Sequence, residues 1–200
     1  MPRGPQGQIK KKPRNKIRPS SKAPDSDQVK LAPSEQPLVA WPIVGCQINE
    51  NWQQQGMASI WLLKQNPVWD DYTFAGFLVD VAGLGLKDAF VRPHVSRRYL
   101  TQAMTKMKEH GFEAGFGEPP TYGPCSHDLM RQLVFGSLLW ANQHGFRTPS
   151  QVLATTEQVL GLAALDELLD LSVFGRDGKP FIVGPLENVA RFLPMDNKGK

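Results

Sequence analysis

Hydrophobic and polar positions divide the chain near Pro37. Before it, large apolar residues are scarce; after it, β-branched and aromatic residues cluster in short runs. Three of these runs, residues 41–49 (WPIVGCQIN), 57–66 (MASIWLLKQN) and 72–81 (YTFAGFLVDV), are bounded by Gly, Pro, Asn or Asp and read as strands. The PVWDD segment between the second and third fits a hairpin loop, which predicts an antiparallel pair with Asp70 and Asp71 solvated at its tip.

Helical spacing takes over in the second half. Residues 96–111 can start on Ser96 and stop at Gly111, and residues 126–145 can start on Ser126 and stop at Gly145. In the latter, Leu129, Leu133, Val134, Leu138 and Ala141 recur on one face. A third helix is predicted from Thr148 as N-cap, with Pro149 at the first helical position, Gln151 completing a capping box and Gly161 ending it. Asp177-Gly178 between apolar runs predicts a C-terminal hairpin, followed by a short helix over residues 186–195. The fold class implied is α+β: an antiparallel sheet, largely from residues 38–92 with the C-terminal hairpin, and helices packed on it. One domain over residues 37–195 is expected, with residues 196–200 as a frayed tail.

Charge changes the picture at the N-terminus. Residues 1–30 carry Arg3, Lys10, Lys11, Lys12, Arg14, Lys16, Arg18, Lys22 and Lys30 against Asp25 and Asp27, a net +7, while residues 31–200 carry −3. The whole-chain value of +4 therefore hides a basic arm on an acidic body. Residues 1–36 have too little apolar surface to offset chain ordering, so a disordered arm is expected. Six charges in nine residues (KKKPRNKIR) suit the neutralisation of a polyanion, and the plain alternative is a solubilising tail. RNA is favoured over DNA as the partner, with the ribosome one form of it. No RNP-type aromatic motif, zinc-finger spacing or P-loop accompanies the arm.

The sequence has no apolar run long enough to cross a bilayer, and polar, proline-rich residues follow the basic N-terminus, so a cytoplasmic protein without membrane partners is expected. The two cysteines, Cys46 and Cys125, lie far apart and offer neither a CxxC redox pair nor a cysteine zinc clip; they could make one disulfide, but without a secretory signal free thiols are the expectation.

Two constellations carry candidate chemistry. FLVDVAGLGLKDAF (residues 77–90) sets Asp80 and Asp88 around a glycine-containing corner with Lys87 beside them. They read either as acid/base groups or ligands for a hard cation with Lys87 as electrostatic stabiliser, or as an Asp80–Lys87 ion pair closing a turn. Its G-x-G lacks the third glycine of a dinucleotide site. Cys125 and His127 stand at a helix start, where a thiol is acidified; the plain reading has Cys125 buried and His127 facing solvent. No cofactor or metal is specified by either. Of the tryptophans, Trp61 and Trp140 read as core, and Trp69 as an exposed ring.

Four ordered segments, NENWQQQGMASIWLL, GFLVDVAGLGLKDAF, FGSLLWANQHGF and FGRDGKPFIVGP, resemble a bacterial family of hypothetical proteins to which no activity is attached. The resemblance spans roughly residues 40–185. The family pattern often has a cysteine at the position of Ala82 or Gly83, and an acidic dipeptide where Leu186 and Glu187 stand here; these departures weigh against an enzyme. The resulting expectation is a non-enzymatic nucleic-acid-associated protein. The alternative is a small metal-dependent hydrolase or nuclease using Asp80 and Asp88, or a Cys125-based enzyme.

Overall fold

The computed structural model describes residues 36–110, 120–162, 169–182 and 189–193. The chain divides into two units, Met1–Lys30 and Leu31–Lys200. The basic residues from Arg3 to Lys22 and the arm they form in the sequence reading lie outside the described residues, as does the tail 196–200.

The second unit is α+β, built on a five-stranded antiparallel sheet. In chain order its elements are β1 (Ile43–Asn49), α1 (Trp52–Gln55), β2 (Met57–Gln65), β3 (Tyr72–Asp80), β4 (Gly85–Val95), α2 (Arg97–His110), β5 (Tyr122–Pro124), α3 (His127–Gln143) and α4 (Ser150–Leu160). The strand order is β4-β3-β2-β1-β5. β2 and β3 pair without a break from Met57↔Asp80 to Gln65↔Tyr72, around the PVWDD loop.

Every residue of β3 is buried, because both faces of the sheet are covered. Ala75, Phe77 and Val79 face one way, into a core with Met130, Leu133, Val134 and Phe135 of α3 and Val152 and Val159 of α4. Tyr72 and Phe74 face the other way and join Trp61, Val95 and Leu100 of α2 in a smaller core. The predicted apolar face of α3 is therefore its buried face, and Ser126 caps it by accepting a hydrogen bond from the Leu129 amide.

Two sequence expectations need correction, and the sheet span expected over residues 38–92 contains a strand that its pattern does not single out: residues 85–95 form β4, a full edge strand. Its charged and proline positions (Lys87, Asp88, Arg92, Pro93) break the apolar alternation, as edge strands commonly do. The C-terminal hairpin exists as a two-residue turn, with Asp177 and Gly178 both at positive φ and Arg176 bridged to Lys179, but it does not join the sheet. The fifth strand is instead β5, three residues long. Thr148 does not cap α4, which begins at Ser150 with Pro149 in the cap position and no side-chain cap bond.

No helix among the described residues is long and apolar enough to cross a membrane. Trp61 and Trp140 are buried and Trp69 is 61% exposed, as their sequence contexts imply.

Candidate functional site

The corner at Asp80 is a hydrogen-bonding hub. Oδ1 of Asp80 accepts from the amides of Ala82 (3.1 Å) and Gly83 (2.9 Å), closing the β3–β4 turn as an Asx turn. The turn's carbonyls are also used: Val81 accepts from the Gly175 amide at 2.7 Å, Ala82 from the Phe181 amide at 2.8 Å, and Gly83 from Trp140 Nε1 at 3.0 Å. Burial pushes the Asp80 carboxyl above its usual range, opposed by the Gly83 amide and then by the charge of Lys87. That charge acts at a distance. The expected Asp80–Lys87 salt bridge does not form among the described residues, whose ion pairs are His94–Asp71 and Arg97–Asp70. The amides of Ala82 and Gly83 already serve the carboxylate, so they present no cradle to a phosphate.

Asp88 is exposed and its Oδ1 accepts from the adjacent Ala89 amide. It stands opposite Leu78, and Asp80 opposite Gly85, so the backbones of the two acids are offset by two residues, roughly 7 Å, along the hairpin and by one strand spacing, about 5 Å, across it. Among the described residues no three His, Cys, Asp or Glu side chains cluster as a metal site would require.

Cys125 lies at the other side of the sheet. Three inter-strand spacings separate β3 from β5, about 14 Å, so the acidic pair and the thiol do not share a pocket. His127 is exposed at the first position of α3. The groups that touch the Cys125 thiol are the Cys46 thiol, the Ser126 carbonyl and the Met130 amide, and His127 is not among them.

The acids of the β2–β3 loop are tied down rather than simply solvated. Tyr72 donates its hydroxyl to Asp70 at 2.8 Å, and with Arg97 at 3.2 Å it holds that carboxyl below its usual range. Asp71 meets His94 Nδ1 at 2.6 Å. His94 reaches it from a bulge: Tyr72 pairs with Val95 and Phe74 with Arg92, so Pro93 and His94 together lie opposite the single residue Thr73, with His94 at φ 55°. His144 follows α3 and packs its Nδ1 against the Trp140 carbonyl, a terminal role with no chemistry implied.

The same bulge and α2 frame a cleft that the sequence reading missed. Phe74, Phe90, Arg92, Tyr99, Ala103 and Lys106 line a shallow cavity of about 320 Å³. Phe90 is half-buried over Gly76, where an added Cβ would fall 2.3 Å from its ring, and it meets Phe74 edge-on at 5.6 Å. Arg92 is opposite Phe74, which places it on the α2 face, and Tyr99 is 43% exposed. Aromatic surface and two cations thus converge on one rim. The signal in the sequence was faint, because Phe90 and Arg92 come from one element and Tyr99 and Lys106 from the next.

Lys64 is the other residue that sequence pattern did not reveal. It is 2% exposed, and Nζ donates to the carbonyls of Val39 (3.0 Å) and Val159 (2.7 Å).

Comparison with protein-family models, curated proteins and solved structures finds no match to this chain, so function has to be argued from its residues.

Proposed function

We propose that this protein binds nucleic acid, RNA in preference to DNA, without catalysing a reaction, and that the ribosome is one form in which it meets RNA. The basic residues Arg3, Lys10, Lys11, Lys12, Arg14, Lys16, Arg18 and Lys22 supply sequence-independent phosphate contacts. The observation that carries the reading to the body is the cleft between β4 and α2. There the exposed ring of Tyr99 would offer a stacking surface for a base, with Arg92 on the same rim to meet a backbone phosphate. Stacking of this kind tolerates any base, and it suits single-stranded polymer whose bases are already splayed.

The acidic corner supports the enzyme alternative less well, since the inner oxygen of Asp80 is occupied in holding its own turn. The deciding experiment is a binding titration of single-stranded RNA, duplex RNA and duplex DNA across a salt series. The full chain is compared with a chain beginning at Ser34 whose fold is verified by circular dichroism. Binding that falls steeply with salt and weakens on truncation supports the arm. Residual, weakly salt-dependent binding of single-stranded RNA to the shortened chain supports the cleft. Absence of binding by the full chain at low salt overturns the proposal.

A further inference from the structure

The chain's two cysteines, separated by most of the sheet in sequence, are neighbours across its far edge. The β1–β5 register runs Asn49↔Tyr122, Ile48↔Gly123, Gln47↔Pro124, and one step further sets Cys46 against Cys125. The Cys125 amide donates to the Cys46 carbonyl at 3.0 Å, so one hydrogen bond holds this pair together just past the end of the ladder. Opposed residues in a hydrogen-bonded antiparallel pair have Cα atoms about 5.5 Å apart and side chains on the same face. That separation lies within the span of roughly 4.4 to 6.8 Å over which a disulfide closes. Both thiols enter the core beneath α3: Cys125 is buried with Met130 and Leu133, and Cys46 is half-buried against the same cluster. The Cys125 thiol donates to the Ser126 carbonyl at 3.4 Å, and each thiol is the largest influence on the other's acidity.

We propose that Cys46 and Cys125 form an oxidisable dithiol which a small hydroperoxide converts to a cross-strand disulfide. Cys125 is the attacking group. The adjacent Cys46 thiol holds it below the usual thiol range, with the Met130 amide of α3 acting in the same direction. Cys46 is pushed up by the adjacent Cys125 and by burial, so it stays protonated as the resolving partner. In the first step the Cys125 thiolate attacks the peroxide, the O–O bond breaks, a sulfenic acid forms and hydroxide leaves. In the second, the Cys46 sulfur, as it loses its proton, displaces the sulfenic hydroxyl as water and the S–S bond forms. The dithiol has given up two electrons and the peroxide has accepted them. A thiol reductant reverses the change by exchange.

The consequence for the fold is local. β5 is three residues long and holds the edge of the sheet and the start of α3 through backbone bonds to β1. The disulfide replaces that weak edge pairing with a covalent one. A switch here would act on the end of the sheet opposite the Asp80 corner.

The test treats the full-length protein with hydrogen peroxide at neutral pH and follows it by intact mass and non-reducing peptide mapping. The expected result is loss of two hydrogens, a Cys46 peptide joined to a Cys125 peptide, reversal by dithiothreitol, and a melting midpoint raised by about 5 °C or more. The variant Cys46→Ser should accumulate a sulfenic acid on Cys125 that dimedone traps. Cys125→Ser should form no intramolecular bridge, and any oxidation then stops at Cys46 without the loss of two hydrogens. Both thiols remaining alkylatable after peroxide treatment, or bridges forming only between molecules, would overturn the proposal. If a variant fails to fold, the peptide map of the unsubstituted protein decides alone.

Discussion

Nζ of Lys64 donates to the carbonyl oxygen of Val159 at 2.7 Å, so a lysine buried under the sheet closes the C-terminal end of α4. Carbonyls near the end of a helix lack intrahelical partners and carry the negative end of its dipole, which suits an ammonium. The second bond, to Val39, ties the segment before β1 to the same point. Burial nonetheless lowers the Lys64 pKa from its ordinary 10.5 to about 8. A depressed lysine means the unfolded chain binds the proton more tightly, so this group's contribution raises stability as pH climbs from about 8 to 10.5. Unfolding titrations of the native chain and Lys64→Met at several pH values should show their difference changing through that window, by no more than about 3 kcal/mol. A difference flat from pH 7 to 11 would mean that Lys64 is not held as described.

Lys64 also shows where sequence reading ends. Within MASIWLLKQ a lysine reads as the wet end of a strand, and only the arrival of α4 and the Val39 segment makes it an interior cap. β1, β2 and β3 were legible as runs of β-branched and aromatic residues bounded by Gly, Pro, Asn or Asp, and α3 by apolar residues at helical spacing. β4 was obscured by its own edge-strand charges and by the Pro93–His94 bulge, and β5 is too short to have a period at all. The candidate chemistry was legible residue by residue but not as sites. Asp80 and Lys87 are near in sequence yet unpaired, whereas Cys46 and Cys125 are distant in sequence yet opposed, because register decides contact and spacing does not reveal register.

Asp80 offers a sharper test, since its charge and its acceptor can be separated. Asp80→Ala leaves the Ala82 and Gly83 amides without their partner in a half-buried turn, and a loss of about 2 kcal/mol or more is expected. Asp80→Asn keeps an oxygen acceptor and should retain most of the stability. The sign with pH also differs from that of an ordinary paired carboxylate. The folded-state pKa is raised, so protonation favours the fold, and this contribution is lost as pH rises through the folded value. The stability of the native chain relative to Asp80→Asn should therefore improve as pH is lowered through the carboxylate range. A relative loss on acidification would contradict burial as the dominant influence.

Gly85 is where β4 can start so close to α3. Its φ is +78°, and an added Cβ would lie 2.5 Å from the backbone oxygen of Ser137, which cannot move without the helix. Gly85→Ala should thus cost about 2 kcal/mol or more by chemical denaturation, combining left-handed strain with a backbone clash. Gly178→Ala provides the control. It has a positive φ of 70° but nothing within 4 Å of the added Cβ, so its cost should be the smaller one of strain alone. Equal costs at the two positions would show that the approach of α3 is not what demands glycine at Gly85.

The proposed RNA contact separates into two terms that salt distinguishes. Tyr99 is an exposed ring on the cleft, and its contribution would be stacking, which is worth about 1 to 3 kcal/mol per base and depends weakly on salt. Arg92, on the same rim, would act by displacing a condensed counterion, so its removal should lower the salt slope by about one. Tyr99→Ala should therefore shift single-stranded RNA affinity by a similar factor at every salt concentration, while Arg92→Ala should matter most at low salt. Changes in the arm should follow the pattern of Arg92, not that of Tyr99. If Tyr99→Ala and Arg92→Ala leave affinity untouched while neutralising the arm removes it, the cleft is no part of the interface and the body recognises something other than a base. If both body variants weaken binding with the same salt dependence, the ring is not stacking, and Tyr99 contributes through the placement of α2 instead.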